Sequence, residues 1–230
     1  MAKDRYGALS ALSYKIGDPG LGRYDTVGRT LYFADSRKCA YAEVLTGFRQ
    51  ERGALAADAA AAGYELDDWI DLVTDEALAN DVDTPWAISL DWQFARSIYA
   101  IDLPPAGWWV QIDHPETLIA LIDAHPHRHI QDNPVLTLAD LSGEDRRLTQ
   151  TLAQHIRDLV LDDGSQALGI SFPSKTTYGR CWAFWDRRVD LNLASGRDDP
   201  RQVNSQNVGP DPAFLEVAGD FRLQILPARP

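Results

Sequence analysis

Cysteine is scarce in this chain: Cys39 and Cys181 are the only two, far apart in sequence. They form no CxxC and no Cys/His spacing of the kind zinc requires, so no metal site is expected. They read as two buried free thiols rather than a disulfide. Long apolar runs are also lacking. No stretch reaches the roughly 18 residues of a transmembrane helix. Met1-Ala2-Lys3-Asp4-Arg5 is followed by no apolar segment, so no signal peptide is expected. Positive charge is in short supply: 22 Lys and Arg face 34 Asp and Glu, a formal net charge of −12. Such a surface repels nucleic-acid phosphates and anionic membranes, so neither partner is expected. These absences together predict a soluble, cytoplasmic protein. An acidic chain can still bind an anionic ligand, but only through a local cluster of Arg or Lys in a cleft.

What the chain does have is an ordinary globular make-up. Its 230 residues are 45% hydrophobic and 24% charged, with seven Trp and eight Tyr to fill a core. That length suits a single domain over 1–230, with a helical insertion at about 50–95 and a loop-rich C-terminal extension at about 194–230. Residues 30–35 read as a short buried strand. Ser36 offers an N-cap for a helix over 38–50, where Cys39, Ala42, Leu45 and Phe48 recur at helical spacing. Residues 54–80 predict helices broken at Gly63, with Trp69, Leu72 and Val73 facing inward. Strands are expected at 98–103 and 108–112, and a short helix at 115–124 with Leu118, Leu121 and Ile122 inward. Residues 144–161 give the clearest helix, with Leu148, Leu152, Ile156 and Leu159 on one face. A strand at 167–172 with a hairpin partner at 181–185 follows. Residues 194–213 lack periodicity and read as a long loop, and 221–226 as a closing strand. His125, His127 and His129 alternate around Pro126. With no supporting ligand pattern they read as a solvated loop, not a metal site.

Three segments hold residue types that belong together chemically. They are Gly22-Arg23-Tyr24; Leu31-Tyr32-Phe33-Ala34 followed by Ala40-Tyr41-Ala42-Glu43-Val44; and Leu168-Gly169-Ile170-Ser171-Phe172-Pro173-Ser174. Nine positions separate Arg23 from Tyr32 and eleven separate Tyr32 from Glu43, with Ser174 far downstream after an amphipathic helix. This order and spacing resembles the RES domain, named for Arg, Glu and Ser. The likeness covers roughly residues 5–50 and 95–190.

The resemblance implies an α+β, ADP-ribosyltransferase-like fold: two small, mostly antiparallel sheets around an NAD-binding cleft, with flanking helices. It implies NAD⁺ as substrate, no metal, and cleavage of the nicotinamide–ribose bond by a glycohydrolase or phosphorylase, with water or phosphate as acceptor. RES proteins are often toxins of toxin–antitoxin pairs held by a partner with a helix-turn-helix (Xre-like) domain. Some relatives transfer ADP-ribose to a protein instead, and a non-catalytic nucleotide- or partner-binding module is a third reading. By the same resemblance Arg23, Glu43 and Ser174 are the catalytic set, and Arg5, Arg23, Tyr32 and Ser174 bind NAD.

The residue types fit that chemistry. Positive charge builds on the ribose C1 as nicotinamide leaves, and a carboxylate, Glu43, stabilises it. A pyrophosphate calls for the planar, permanently charged fork of Arg23, with Arg5 as a second candidate. Nicotinamide calls for an aromatic face, Tyr32. Ser174 can hold the nicotinamide ribose or orient Glu43. No His stands in catalytic spacing to it, so it is not expected to be a nucleophile. Two positions depart from the family pattern: Asp25, where relatives commonly carry Asn, and the position after Ser174, which is Lys175, where an Arg two residues past the Ser is common.

Overall fold

The computed structural model describes residues 1–11, 13–14, 22–124, 126–128, 130, 135–194, 196 and 199–226. In chain order the elements are β1 (Ala2–Lys3), β2 (Ser13–Tyr14), β3 (Gly28–Ala34), α1 (Arg37–Ala54), α2 (Ala56–Ala62), α3 (Leu66–Ala79), β4 (Ile88–Ser89), α4 (Leu90–Phe94), β5 (Arg96–Asp102), β6 (Trp109–Gln111), α5 (Pro115–Ala124), α6 (Leu138–Ser142), α7 (Arg146–Asp158), β7 (Gly169–Pro173), β8 (Arg180–Trp185), α8 (Arg187–Asp190), β9 (Arg201–Asn207), α9 (Pro212–Asp220) and β10 (Ile225–Leu226). The architecture is mixed α+β with small sheets. The described residues form three sheets, against the two expected: a five-stranded one ordered β2-β3-β8-β7-β6, a three-stranded one ordered β1-β5-β9, and a two-stranded one pairing β10 with β4.

The chain divides into two compact units: residues 1–8, 40–99 and 204–230 form the first, and residues 9–39 and 100–203 the second. In the second unit the five-stranded sheet is antiparallel except for the parallel β6–β7 pair. Gly169 in β7 has no room for a side chain: a Cβ there would run into the Ala183 carbonyl of β8. Helix α7 packs on this sheet. Asp145 caps it by accepting the Leu148 N–H at 3.1 Å. Leu148, Leu152 and Ile156 are buried in one core with Ile112, Ile170, Phe172 and Trp185, each stabilising by about 1.5–3 kcal/mol. Leu159 departs from the expected face: it ends the helix in an extended conformation and is exposed.

Ser36 starts α1 as its position predicts, its hydroxyl accepting the Cys39 N–H at 3.1 Å. Cys39 and Cys181 are both buried and unbridged, their sulfurs 3.6 Å apart. His127 overturns the solvated-loop expectation, because it is 0% exposed. The turn that carries it closes through Ile130 N–H on the His127 carbonyl at 2.8 Å. His125 and His129 lie outside the described residues.

In the first unit, Gly63 at φ 78 ends α2 through a left-handed C-cap that a side chain resists. Helix α3 buries Ile70, Thr74 and Ala77, whereas Leu72 is exposed, so its inward face is rotated from the one expected. The parallel β4–β10 pairing sets Ile88 opposite Ile225. Asp211 caps α9 and also accepts the buried Tyr41 hydroxyl at 2.9 Å. The expected loop at 194–213 instead contains β9 and the start of α9. Among the described residues, no helix is long and apolar enough to cross a membrane.

Candidate functional site

The short loop Gly22–Asp25 leads into β3 and is pinned on several sides. Gln150 of α7 donates to the Gly22 carbonyl at 3.1 Å. The buried Tyr24 donates its hydroxyl to the Leu141 carbonyl at 2.8 Å, and Trp185 Nε1 donates to the Tyr24 carbonyl at 3.3 Å. A side chain at Gly22 would fit tightly, since a Cβ would lie 3.0 Å from the Tyr32 hydroxyl and 3.1 Å from Asp25 Oδ2.

This anchoring holds Arg23 against aromatic faces. Its guanidinium lies 5.6 Å from the ring centroid of Tyr24 and 5.7 Å from that of Phe172, a cation–π arrangement that favours a fixed charge. Its Nε is buried with no hydrogen-bond partner among the described residues. Such a donor is costly to leave unmade.

Tyr32 also packs against Phe172, the two rings 6.4 Å apart and edge to face at 80°. Thr30 and Leu31 before it are buried, yet Tyr32 is 44% exposed. Its hydroxyl end is nevertheless held: it accepts the Tyr24 N–H at 3.1 Å. Asp25 is only 5% exposed and accepts the Gly22 N–H at 2.5 Å. Burial pushes the Asp25 carboxyl above the usual carboxylate range, with the Gly22 N–H opposing. Burial, reinforced by the Asp25 charge, pushes the Tyr32 phenol well above its ordinary value. This phenol therefore stays neutral at physiological pH and presents its ring rather than an ionisable group.

Ser174 comes directly after the last residue of β7, Pro173. It is 5% exposed, and its hydroxyl lies 2.6 Å from that of Thr176 while accepting the Thr176 N–H at 3.1 Å. The turn closes where Ser174 N–H meets the Gly179 carbonyl at 2.9 Å. Beyond it, Arg180 makes a two-pronged ion pair with Asp113 at 2.9 and 2.8 Å. Those bonds hold the Asp113 carboxyl below, and the Arg180 guanidinium above, their ordinary ranges.

Arg23, Tyr32 and Ser174 thus all belong to the second unit, the first two both against Phe172. Glu43 and Arg5 belong to the first unit. Glu43 is half-buried on α1, next to the fully buried Ala42. Arg5 is exposed, its guanidinium 4.5 Å from the ring centroid of neighbouring Tyr6. The first unit also holds an open hollow of about 360 Å³ lined by Phe48, Trp92, Asp83 and Asp91 among others. Its acidic walls have the wrong sign for a pyrophosphate.

Sequence reasoning passed over Phe172 as the shared wall and Asp25 as more than a departure from pattern. Phe172 carries no signal of its own, because any strand aromatic reads as core. Asp25 carried one: an Asp three residues after a Gly that opens a tight loop is a ready acceptor for that backbone. Among the described residues, no group of three or more His, Cys, Asp or Glu is placed to hold a metal ion. Comparison with family models, with curated proteins and with solved structures finds no match.

Proposed function

We propose that this chain binds NAD⁺ and cleaves its nicotinamide–ribose bond, on an ADP-ribosyltransferase-like fold of the RES kind. The observation that carries the reading is Arg23 beside Tyr32 around Phe172. A fixed guanidinium with a buried, unpartnered Nε stands next to an exposed aromatic ring in a chain of net charge −12. A dinucleotide needs both features, a cation for the pyrophosphate and a flat apolar face for nicotinamide. The order of Arg23, Tyr32, Glu43 and Ser174 along the chain supplies the rest.

In this reading Arg23 takes the pyrophosphate and Tyr32 stacks on the nicotinamide ring. By the family resemblance Glu43 is the carboxylate for the ribose, whose negative charge would favour the oxocarbenium-like state. The C–N bond breaks with its electron pair going to the departing nicotinamide, which leaves neutral. Water then forms the new C–O bond and releases a proton, giving ADP-ribose, or phosphate adds in its place to give the ADP-ribose phosphate ester. The biological setting that fits is a cytoplasmic toxin held by a helix-turn-helix antitoxin.

The test is to incubate the purified protein with NAD⁺, with and without phosphate, and to quantify nicotinamide and ribosyl products by chromatography. Glu43→Ala is expected to lower turnover by at least about 100-fold with an unchanged melting profile. Arg23→Ala is expected to act mainly through KM. Label transferred to a macromolecule with little free ADP-ribose would point to protein ADP-ribosylation. Absence of nicotinamide release from the intact protein would overturn the enzymatic reading.

A further inference from the structure

Cys39 and Cys181 are the chain's only cysteines and stand 142 positions apart, yet the fold sets their sulfurs 3.6 Å from each other. Both belong to the second unit, and they are 0% and 4% exposed. A buried thiol packs as a small apolar group and needs no second sulfur beside it. Each of these two is held by its own backbone. Cys39 lies in the first turn of α1, where its N–H donates to the Ser36 hydroxyl at 3.1 Å, and its sulfur also lies 3.9 Å from the Arg180 carbonyl. Cys181 lies inside β8, opposite Ala34 of β3 on one side and Phe172 of β7 on the other. Bonded disulfide sulfurs stand about 2.05 Å apart. The gap therefore has to close by about 1.5 Å, a movement the two side chains can share. Ser36, Arg37 and Lys38 just before Cys39 are all exposed. The opening of that one helical turn is enough to admit a small oxidant.

We propose that Cys39 and Cys181 are a redox modification site: a peroxide converts the pair to an intramolecular disulfide that ties the start of α1 to β8, and a small thiol reverses it. One sulfur, as thiolate, attacks a peroxide oxygen; the O–O bond breaks, hydroxide leaves and a sulfenic acid forms. The other sulfur, as thiolate, attacks the sulfenic sulfur; the S–S bond forms, the S–O bond breaks and a second hydroxide leaves. The two hydroxides take up the two thiol protons. Two thiols and one hydrogen peroxide thus give one disulfide and two waters. A partner sulfur already in contact traps the sulfenic acid before a second peroxide carries it to sulfinic acid. In reversal, two molecules of a small thiol reduce the bond and leave as their own disulfide. The bridge closes a long loop, which restricts the unfolded chain, so the oxidised form is the more stable one.

The experiment treats the purified full chain with a small excess of hydrogen peroxide. Thiols are counted after denaturation, and intact mass, peptide map and melting temperature are measured before and after a thiol reductant. Both thiols are expected to disappear together, with a mass lower by two hydrogen atoms and the Cys39 and Cys181 peptides joined within one chain. The melting temperature is expected to rise by at least about 5 °C, and the reductant to return every readout to its starting value. Cys39→Ala and Cys181→Ala are each expected to abolish that rise, the remaining thiol gaining oxygen or joining two chains. Two thiols still titratable, oxygen added to the wild-type chain in place of hydrogen lost, or cross-links only between chains each overturn the proposal. A bridge that leaves the melting temperature unchanged overturns the tie between α1 and β8. If an alanine variant fails to fold, the mass and peptide map of the wild-type chain decide the outcome. None of these readouts involves NAD⁺.

Discussion

Two carboxyls of the second unit are pushed in opposite directions by their surroundings. Asp25 is raised because burial outweighs the one backbone N–H it accepts, whereas Asp113 is lowered because Arg180 offers it two charged hydrogen bonds. The sign of the second shift sets a pH dependence. A depressed folded-state value means that the ion pair stabilises above the unfolded value of about 3.9 and is lost as pH falls through the folded one. Asp113→Asn is therefore expected to cost about 1 kcal/mol at pH 7, modest because both partners keep some solvent contact. The difference from wild type should shrink as the buffer is taken below pH ~4, which denaturant melts across pH will measure. A gap that stays constant into acid would mean the pair contributes nothing electrostatic.

Among the elements, α7 packs into the core of the second unit. Leu148, Leu152, Ala153 and Ile156 are its buried side chains in that core, and its Gln150 reaches the Gly22 carbonyl. The same helix thus supports the core and the loop that holds Arg23. Leu152→Ala is expected to cost about 2–5 kcal/mol, the transfer loss plus the cavity left behind, measured as a drop in the denaturation midpoint. A cost under 1 kcal/mol would show that the core closes over the gap. The helix was legible in the sequence because its apolar residues recur at helical spacing. Helix α1 was legible from Ser36, and the end of α2 from Gly63, because a cap and a left-handed breaker act locally. Strand β9 was not legible. Arg201–Asn207 is mostly exposed, so it has no alternation of buried and solvated residues to read. It is a strand because it bonds to β5, not because it buries a face.

For the whole molecule, the strong negative charge makes any anion site a local exception, and Arg23 is the one proposed. If NAD⁺ is the ligand, a variant that binds without turning over should be stabilised by it. Glu43→Gln is expected to melt higher with NAD⁺ present, by roughly 2.7 kcal/mol at a hundred-fold excess over Kd, or about 5–10 °C for a chain of this size. A melting temperature indifferent to NAD⁺ would sink the dinucleotide reading, whatever the fate of the other variants.

The amino-acid sequence by itself determined the local features: where α1 and α7 begin, where α2 ends, which strands carry apolar side chains, and the order of Arg23, Tyr32, Glu43 and Ser174. These depend on spacing, capping and backbone freedom within a few residues. Only the tertiary structure decided that His127 is buried, that α3 turns Leu72 outward, that Arg23 and Tyr32 both pack against Phe172, and that the Tyr24 backbone meets the Tyr32 hydroxyl. Each of those depends on what distant segments bring alongside. A residue's surroundings, unlike its helical spacing, are not written next to it in the chain.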